Sequence, residues 1–243
     1  MRLIIVRHGD PDYEHDTLTP TGWEEAKLAA KKIAGLDVKD FYVSPLGRAQ
    51  DTASCTLNLM GRTATTLEWL REFNPRINRP DVTGQKMIAW DWLPQDWMKN
   101  EDYFRRDLWN LTDIMKEGKV KEEYDWVVNS FDNLLAEHGY VRKGEYYEVK
   151  QANTDTLVFF CHFGLECVLL SHLMNISPMI LWHHTAAAPT SMTTVYTEER
   201  RKGIASFRVT SFGDISHLYV ADREPSFSAR FCETYDNKEE RHD

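Results

Sequence analysis

The chain is poor in several things, and each shortage excludes something. No apolar run approaches the ~18 residues of a membrane-spanning helix. The first one, Leu3-Ile4-Ile5-Val6, is also too short for the core of a secretory signal. The expectation is a cytoplasmic protein without a membrane partner. Gly (12) and Pro (9) are too scarce among 243 residues for a collagen-like or low-complexity chain. There are four cysteines, Cys55, Cys161, Cys167 and Cys232, with neither a CxxC pair nor the Cys/His spacing of a zinc site. They are expected as free, mostly buried thiols.

Positive charge is the remaining shortage. There are 29 Lys and Arg against 38 Asp and Glu, a net charge of −9. A chain this acidic does not offer a general nucleic-acid surface. The imbalance is spread evenly: −2 over residues 1–72, −4 over 73–140 and −3 over 141–243. No charged arm for a partner is indicated.

What the chain does have is alternation. Arg2 to Val6 is a short β-rich run ending at Arg7-His8-Gly9. Thr19-Pro20 opens a helix in cap-then-proline order, with Ala26, Ala29, Ala30 and Ile33 as its apolar stripe. Asp40 to Val43 reads as a second strand. Ser44-Pro45 repeats the cap-then-proline start of a helix running to about Met60. Thr65 to Leu67 suits a third strand. Thr156 to Cys161 is a continuous apolar run, the pattern of a strand covered on both faces, and a Leu-rich helix follows to Met174. Met192 to Tyr196 and Ile204 to Val209 read as late strands joined across Glu199–Gly203. This order implies an α/β fold: a three-layer α/β/α sandwich around a mainly parallel central sheet, as one domain over 1–243.

Residues 73–140 interrupt the alternation. They carry Trp90, Trp92, Trp97, Trp109 and Trp126, five of the eight tryptophans, with helical stretches near 101–117 and 121–138. They are expected to form an inserted helical cap. Most of its tryptophans are expected to be packing residues, one or two lining a substrate pocket, and its aromatic surface offers a contact for a homo-oligomer.

In folds of this kind ligands sit beyond the carboxyl ends of the strands. Two strands end in Arg7-His8-Gly9 and Cys161-His162-Phe163-Gly164, so both histidines face one edge. Between them lie Leu18-Thr19-Pro20-Thr21-Gly22, the run Ser44-Pro45-Leu46-Gly47-Arg48-Ala49-Gln50-Asp51-Thr52-Ala53, and Leu70-Arg71-Glu72-Phe73. Together these motifs resemble the histidine phosphatase superfamily, the phosphoglycerate-mutase-like fold, over most of residues 1–72 and 156–196.

The resemblance implies a phosphomonoester hydrolase acting on a small phosphorylated metabolite. His8 would be the nucleophile that forms a phosphohistidine. Arg7 and Arg48 would clamp the phosphoryl oxygens through their planar forks. His162, taken as protonated, would add a third positive donor, and Phe163 would join these three in binding substrate. Glu72 would protonate the leaving oxygen and then activate water. Glu68, one turn earlier, and an acid from the cap are its rivals, because the glycine that usually follows this acid is missing. No metal and no cofactor are implied.

Three other readings stay open: a mutase-type phosphotransferase, a phosphoprotein phosphatase and a non-catalytic phospho-ligand binding protein. The segment between Gly9 and Leu18 is short and acidic and lacks the Asn and Ser with which the family's mutases grip phosphoglycerate, which favours hydrolysis. Asp10, Asp12, Glu14 and Asp16 read as a solvated loop that would discourage very anionic substrates or orient a hydroxyl or amine. One of His183 and His184 is a further candidate for a substrate pocket, and Thr190 and Ser191 for a hydroxyl near the phosphate.

Overall fold

A computed structural model describes residues 1–228 and 230–242. Along the chain the elements are β1 (Arg2–Arg7), β2 (Pro11–Asp12), β3 (Thr17–Leu18), α1 (Pro20–Ala34), β4 (Asp40–Val43), α2 (Gly47–Met60) and β5 (Thr65–Thr66). Then come β6 (Arg76–Ile77), β7 (Met87–Ile88), α3 (Pro94–Trp97), α4 (Asp113–Glu117) and α5 (Val120–Glu137). The C-terminal half holds β8 (Tyr140–Lys143), β9 (Tyr146–Val149), β10 (Thr156–Cys161), α6 (Phe163–Met174) and α7 (Pro178–His184). It ends with β11 (Met192–Arg201), β12 (Ile204–Asp214) and α8 (Ser216–Tyr219).

The central sheet runs β5-β4-β10-β1-β11-β12-β9-β8. Its first four strands are parallel, and β11 onward adds antiparallel pairs. The alternating β/α sequence built the parallel part, where each return needs a crossover. The expected late hairpin is β11–β12, each strand starting where the sequence pattern placed it and running further at its C-terminal end.

Side-chain alternation sorts the two faces. Ile4, Val6, Val158 and Phe160 join Ala29 and Ile33 of α1 and Ala49 and Ala53 of α2. Leu3, Ile5, Leu157 and Phe159 point the other way, onto Phe131 and Leu135 of α5 and Leu165 and Leu169 of α6. All four residues of that second set are fully or almost fully buried. Each such side chain contributes ~1.5–3 kcal/mol of transfer free energy.

The segment 73–140 is divided differently from the expected single cap. α5 lies in the sandwich itself, with Phe131 edge-on to Phe159 of β10 at 6.2 Å between ring centroids. Its buried Val127, Val128, Phe131, Leu134 and Leu135 recur at helical spacing, which draws that face onto the sheet. The stretch before it, 73–119, holds short elements pinned by aromatics. Trp97 stacks on His183 at 4.8 Å and Trp109 meets Trp182 edge-on at 5.5 Å. Among the described residues no helix is long and apolar enough to cross a membrane.

α1 begins as its sequence suggests, with the Thr19 hydroxyl accepting from the Gly22 amide at 3.0 Å. α2 does not. Its first helical residue is Gly47, and Ser44 caps nothing there. The Gly47 amide instead donates to the Asp16 carboxylate at 2.7 Å. A distant acid, favoured at a helix N-terminus, has freed Ser44 for the site described next.

Candidate active site

Register brings the two histidines together. β1 and β10 are parallel neighbours with Arg7 opposite Cys161, so the next residues, His8 and His162, emerge side by side. Their rings are 5.2 Å apart, tilted by 55°. β4 lies on the other side of β10, and Ser44 follows its last residue; the Ser44 amide donates to Phe160 O at 2.9 Å. The loop before β11 closes the opposite flank. The Arg7 amide donates to Ser191 O at 3.1 Å, and the Thr190 amide donates to His8 O at 3.1 Å.

Two motif glycines make this corner possible. A Cβ on Gly9 would lie 2.7 Å from Gly22 O, and a Cβ on Gly22 would lie 2.2 Å from Asp10 O. The loop after β1 and the first turn of α1 touch backbone to backbone, which side chains would prevent.

His8 is 2% exposed. Its Nδ1 is 2.7 Å from the Gly9 carbonyl oxygen. A carbonyl only accepts, so Nδ1 carries the proton and the Nε2 lone pair is free. Burial, then the Arg7 and Arg48 charges, hold the imidazole well below the usual histidine range. His8 is therefore neutral at physiological pH, the form a nucleophile needs.

His162 is fully buried, and its Nε2 is 2.7 Å from Ser44 Oγ. Ser44 Oγ also accepts from the Leu46 amide at 3.2 Å. When the Ser44 hydroxyl gives its own proton to Nε2, the imidazole proton sits on Nδ1. Burial first, and then His8, Arg48 and Arg7, hold His162 well below the usual range. This differs from the protonated state that the resemblance suggested: two arginines and a dry site favour the neutral ring. Neutral His162 still offers one N–H.

Arg7, at the end of β1, is 6% exposed, and its Nη1 donates to Ala187 O at 2.5 Å. Arg48, in the first turn of α2, donates from Nη1 to Asp16 Oδ1 at 2.6 Å. Five buried side-chain nitrogens have no partner among the described residues, and three of them, Arg7 Nε, Arg48 Nε and His162 Nδ1, belong to these residues. A buried donor left unmade costs ~1–3 kcal/mol. Three at one sheet edge mark where an anion's oxygens would be received.

Glu72 stands at the N-terminus of α6. Its Oε1 accepts from the Phe73 amide at 2.8 Å and the Leu165 amide at 2.9 Å. Burial raises its pKa above the usual carboxyl value, against the pull of those amides and of Arg48 and Arg7. Glu68, its rival, is exposed in the short 3-10 turn Glu68–Leu70. The geometry brings Glu72 to the site and leaves Glu68 outside it.

The remaining candidates sort as follows. Phe163 is the first residue of α6 and half-buried, edge-on to Trp90 at 6.0 Å. Asp10 is bonded rather than merely solvated, accepting from the Thr19 hydroxyl at 2.7 Å. Asp16 holds Arg48 and α2 together. His183 spends both ring nitrogens within the fold, Nδ1 on Met179 O at 2.7 Å and Nε2 accepting from the Trp92 amide at 2.9 Å. Ser191 Oγ is buried beside Arg7 and His8 without a partner, and Thr190 Oγ1 is bonded to His217 at 2.9 Å.

Two residues escaped the sequence reading. Ser44 was visible in its motif and taken for a cap. Glu166, in the first turn of α6, is 1% exposed, and burial pushes its carboxyl up to about 7. Its Leu-rich surroundings were the available signal, since an acid within an apolar helical run has no solvent-facing position to take.

Residues 3–109, somewhat under half of the chain, match the histidine phosphatase superfamily (branch 1). That stretch includes Arg7, His8, Arg48 and Glu72. Over 79 residues the chain is 33% identical to the 2,3-bisphosphoglycerate-dependent phosphoglycerate mutase of Thermoplasma acidophilum. The aligned stretch is 28% of this chain and spans 40% of that relative's length. A phosphoserine phosphatase mutant of Entamoeba histolytica, solved with phosphoserine, superposes with a TM-score of 0.58 at 20% identity, covering 89% of this chain and 98% of the other. A mycobacterial glucosyl-3-phosphoglycerate phosphatase solved with VO3 gives 0.54 at 18% identity, over 87% and 98%. At these identities the two structures speak for the fold.

Proposed function

We propose that the protein is a phosphomonoester hydrolase that works through a phosphohistidine at His8. The observation that carries this reading is the convergence of unpartnered donors, Arg7 Nε, Arg48 Nε and His162 Nδ1, around a neutral imidazole whose Nε2 lone pair is free.

The residues divide the work as follows. The two guanidiniums and His162 receive the equatorial oxygens of a phosphoryl group and stabilise their charge in the transition state. His8 Nε2 attacks phosphorus as the ester P–O bond breaks. The Gly9 carbonyl, bonded to Nδ1–H, offsets the positive charge that grows on the ring. Glu72 gives its proton to the departing oxygen, and its raised pKa keeps that proton available. Water then attacks the phosphorus of the phosphohistidine, Glu72 takes the water's proton, and His8 departs with its lone pair restored. The products are the alcohol and inorganic phosphate. In this reading the charge-stabilising groups are all side chains, and no metal takes part.

The test is phosphate release from a panel of phosphate monoesters, with and without a chelator. Release that persists in chelator supports the reading. Release that stops in chelator and returns with a divalent ion overturns the metal-free part. Transfer of the phosphoryl group back to a second hydroxyl, with no release to water, overturns hydrolysis in favour of a mutase.

A further inference from the structure

The wall beside Glu72 carries information about the leaving group. Gly164 is where two parts of the molecule meet. A Cβ there would lie 2.7 Å from Glu72 Oε1 and also 2.7 Å from Nε1 and Cε2 of Trp90. The acid and the indole therefore flank one point of the α6 N-terminus. Whatever oxygen Glu72 protonates departs next to Trp90.

Trp90 is held firmly, and its polar groups are used up. Its indole N–H donates to Phe73 O at 2.8 Å. Its carbonyl accepts from Arg79 Nη1 at 3.0 Å. Arg79 is itself buried and gives its other donors to Asp81, from Nε at 2.9 Å and from Nη2. With both ends fixed, the half-buried indole offers a ligand only ring surface, and half-buried Phe163 meets it edge-on. Fixed aromatic rings bind apolar groups with little ordering cost.

Outside Arg7 and Glu72 themselves, three charged side chains near this wall are paired. Arg79 is neutralised by Asp81, Asp91 is paired with Arg241 at 3.3 Å, and Arg48 with Asp16 at 2.6 Å. A second anionic group on the substrate would meet guanidiniums that already hold a carboxylate.

We infer that the substrate is a phosphate monoester of an aromatic or otherwise apolar alcohol with no second anionic group, and that Trp90 and Phe163 form the surface on which that alcohol lies. The inference rests on the phosphatase reading and makes it specific.

The experiment compares two alkyl esters of similar intrinsic reactivity, 2-phenylethyl phosphate and 3-phosphoglycerate. Wild-type kcat/KM is expected to favour the phenylethyl ester at least about tenfold, the worth of burying a phenyl-sized group. In Trp90→Ala that ratio should collapse toward one, and in Trp90→Phe most of it should remain. The ratio is internal to each variant, so a partly unfolded preparation does not disturb it. Binding of both esters to the His8→Ala variant, measured by calorimetry, reads the same preference without turnover. A wild-type ratio at or below one, or a ratio unmoved in Trp90→Ala, overturns the inference while leaving hydrolysis standing. Preferred binding of the phenylethyl ester with no phosphate release by the wild type overturns the phosphatase reading and keeps the aromatic pocket.

Discussion

The two ends of the proposed site, one for the phosphate and one for the leaving group, are built in different ways. At the phosphate end, position comes from the backbone: parallel register sets His8 against His162, strand ends place Arg7 and Ser44, and two touching glycines fold the loop. At the leaving-group end, position comes from side-chain packing, with Trp90 held between Phe73 and Arg79 on a stretch of short elements. The first arrangement places charge where a dianion's oxygens must sit, and small errors there are costly. The second offers a shaped apolar surface that substitution retunes. Chemistry is therefore expected to fail on changes at the first end, and selectivity to shift on changes at the second.

The largest expected effect is at the nucleophile. His8→Ala should lower turnover by ~10⁴-fold or more while leaving the thermal transition intact. A rate within tenfold of wild type would place the nucleophile elsewhere.

Next comes the acid. Glu72→Gln should slow 2-phenylethyl phosphate by ~10²–10⁴-fold. With 4-nitrophenyl phosphate, whose leaving group needs no proton, the loss should be under about tenfold. Equal losses on both esters would remove Glu72 from the acid's role.

Ser44 is a subtler test, because it acts through His162. Ser44→Ala should lower kcat/KM by about tenfold, the worth of one oriented hydrogen bond. Nitrogen NMR of labelled histidine should show His162 protonated on Nδ1 in the wild type and a mixture of tautomers in the variant. An Nε2-protonated ring in the wild type would leave Nδ1 with no proton to offer the phosphate.

The smallest effects concern stability and carry opposite signs. Burial holds His183 at about 4, below its unfolded value. The unfolded chain then binds more protons between that value and ~6.5. The stability from this buried ring is whole above ~6.5 and is lost as pH falls toward 4. In His183→Gln the gap in Tm to the wild type should narrow over that range. Glu166, raised to about 7, behaves in reverse. Its contribution is whole below ~4.5 and is lost as pH rises through 7, so Glu166→Gln should gain on the wild type at pH 8 and match it at pH 4.5. A constant gap in either pair would contradict the corresponding buried charge state.

The same contrast explains what could be read from the chain. Strand ends, glycines and cap residues obey local rules, so the sequence alone puts Arg7, His8, Arg48 and His162 on one edge. Local rules failed where a distant group intervened. Asp16 took over the start of α2, and Ser44, dressed as a cap, turned to His162 instead. The segment 73–140 has no alternation to follow, and its division into α5 within the sandwich and an aromatic stretch before it is settled by packing. Which of five tryptophans would stand beside Glu72 depends on Gly164 leaving room for it, a contact between residues far apart in the chain.

The central claim is a covalent phosphohistidine on His8. It is tested most directly by mixing the protein with a radiolabelled phosphate monoester, quenching in base within milliseconds, and locating the label by peptide mass spectrometry. The account predicts base-stable, acid-labile phosphate on the peptide containing His8, absent from His8→Ala and longer-lived in Glu72→Gln. Phosphate release proceeding at full rate with no label on His8 would contradict it.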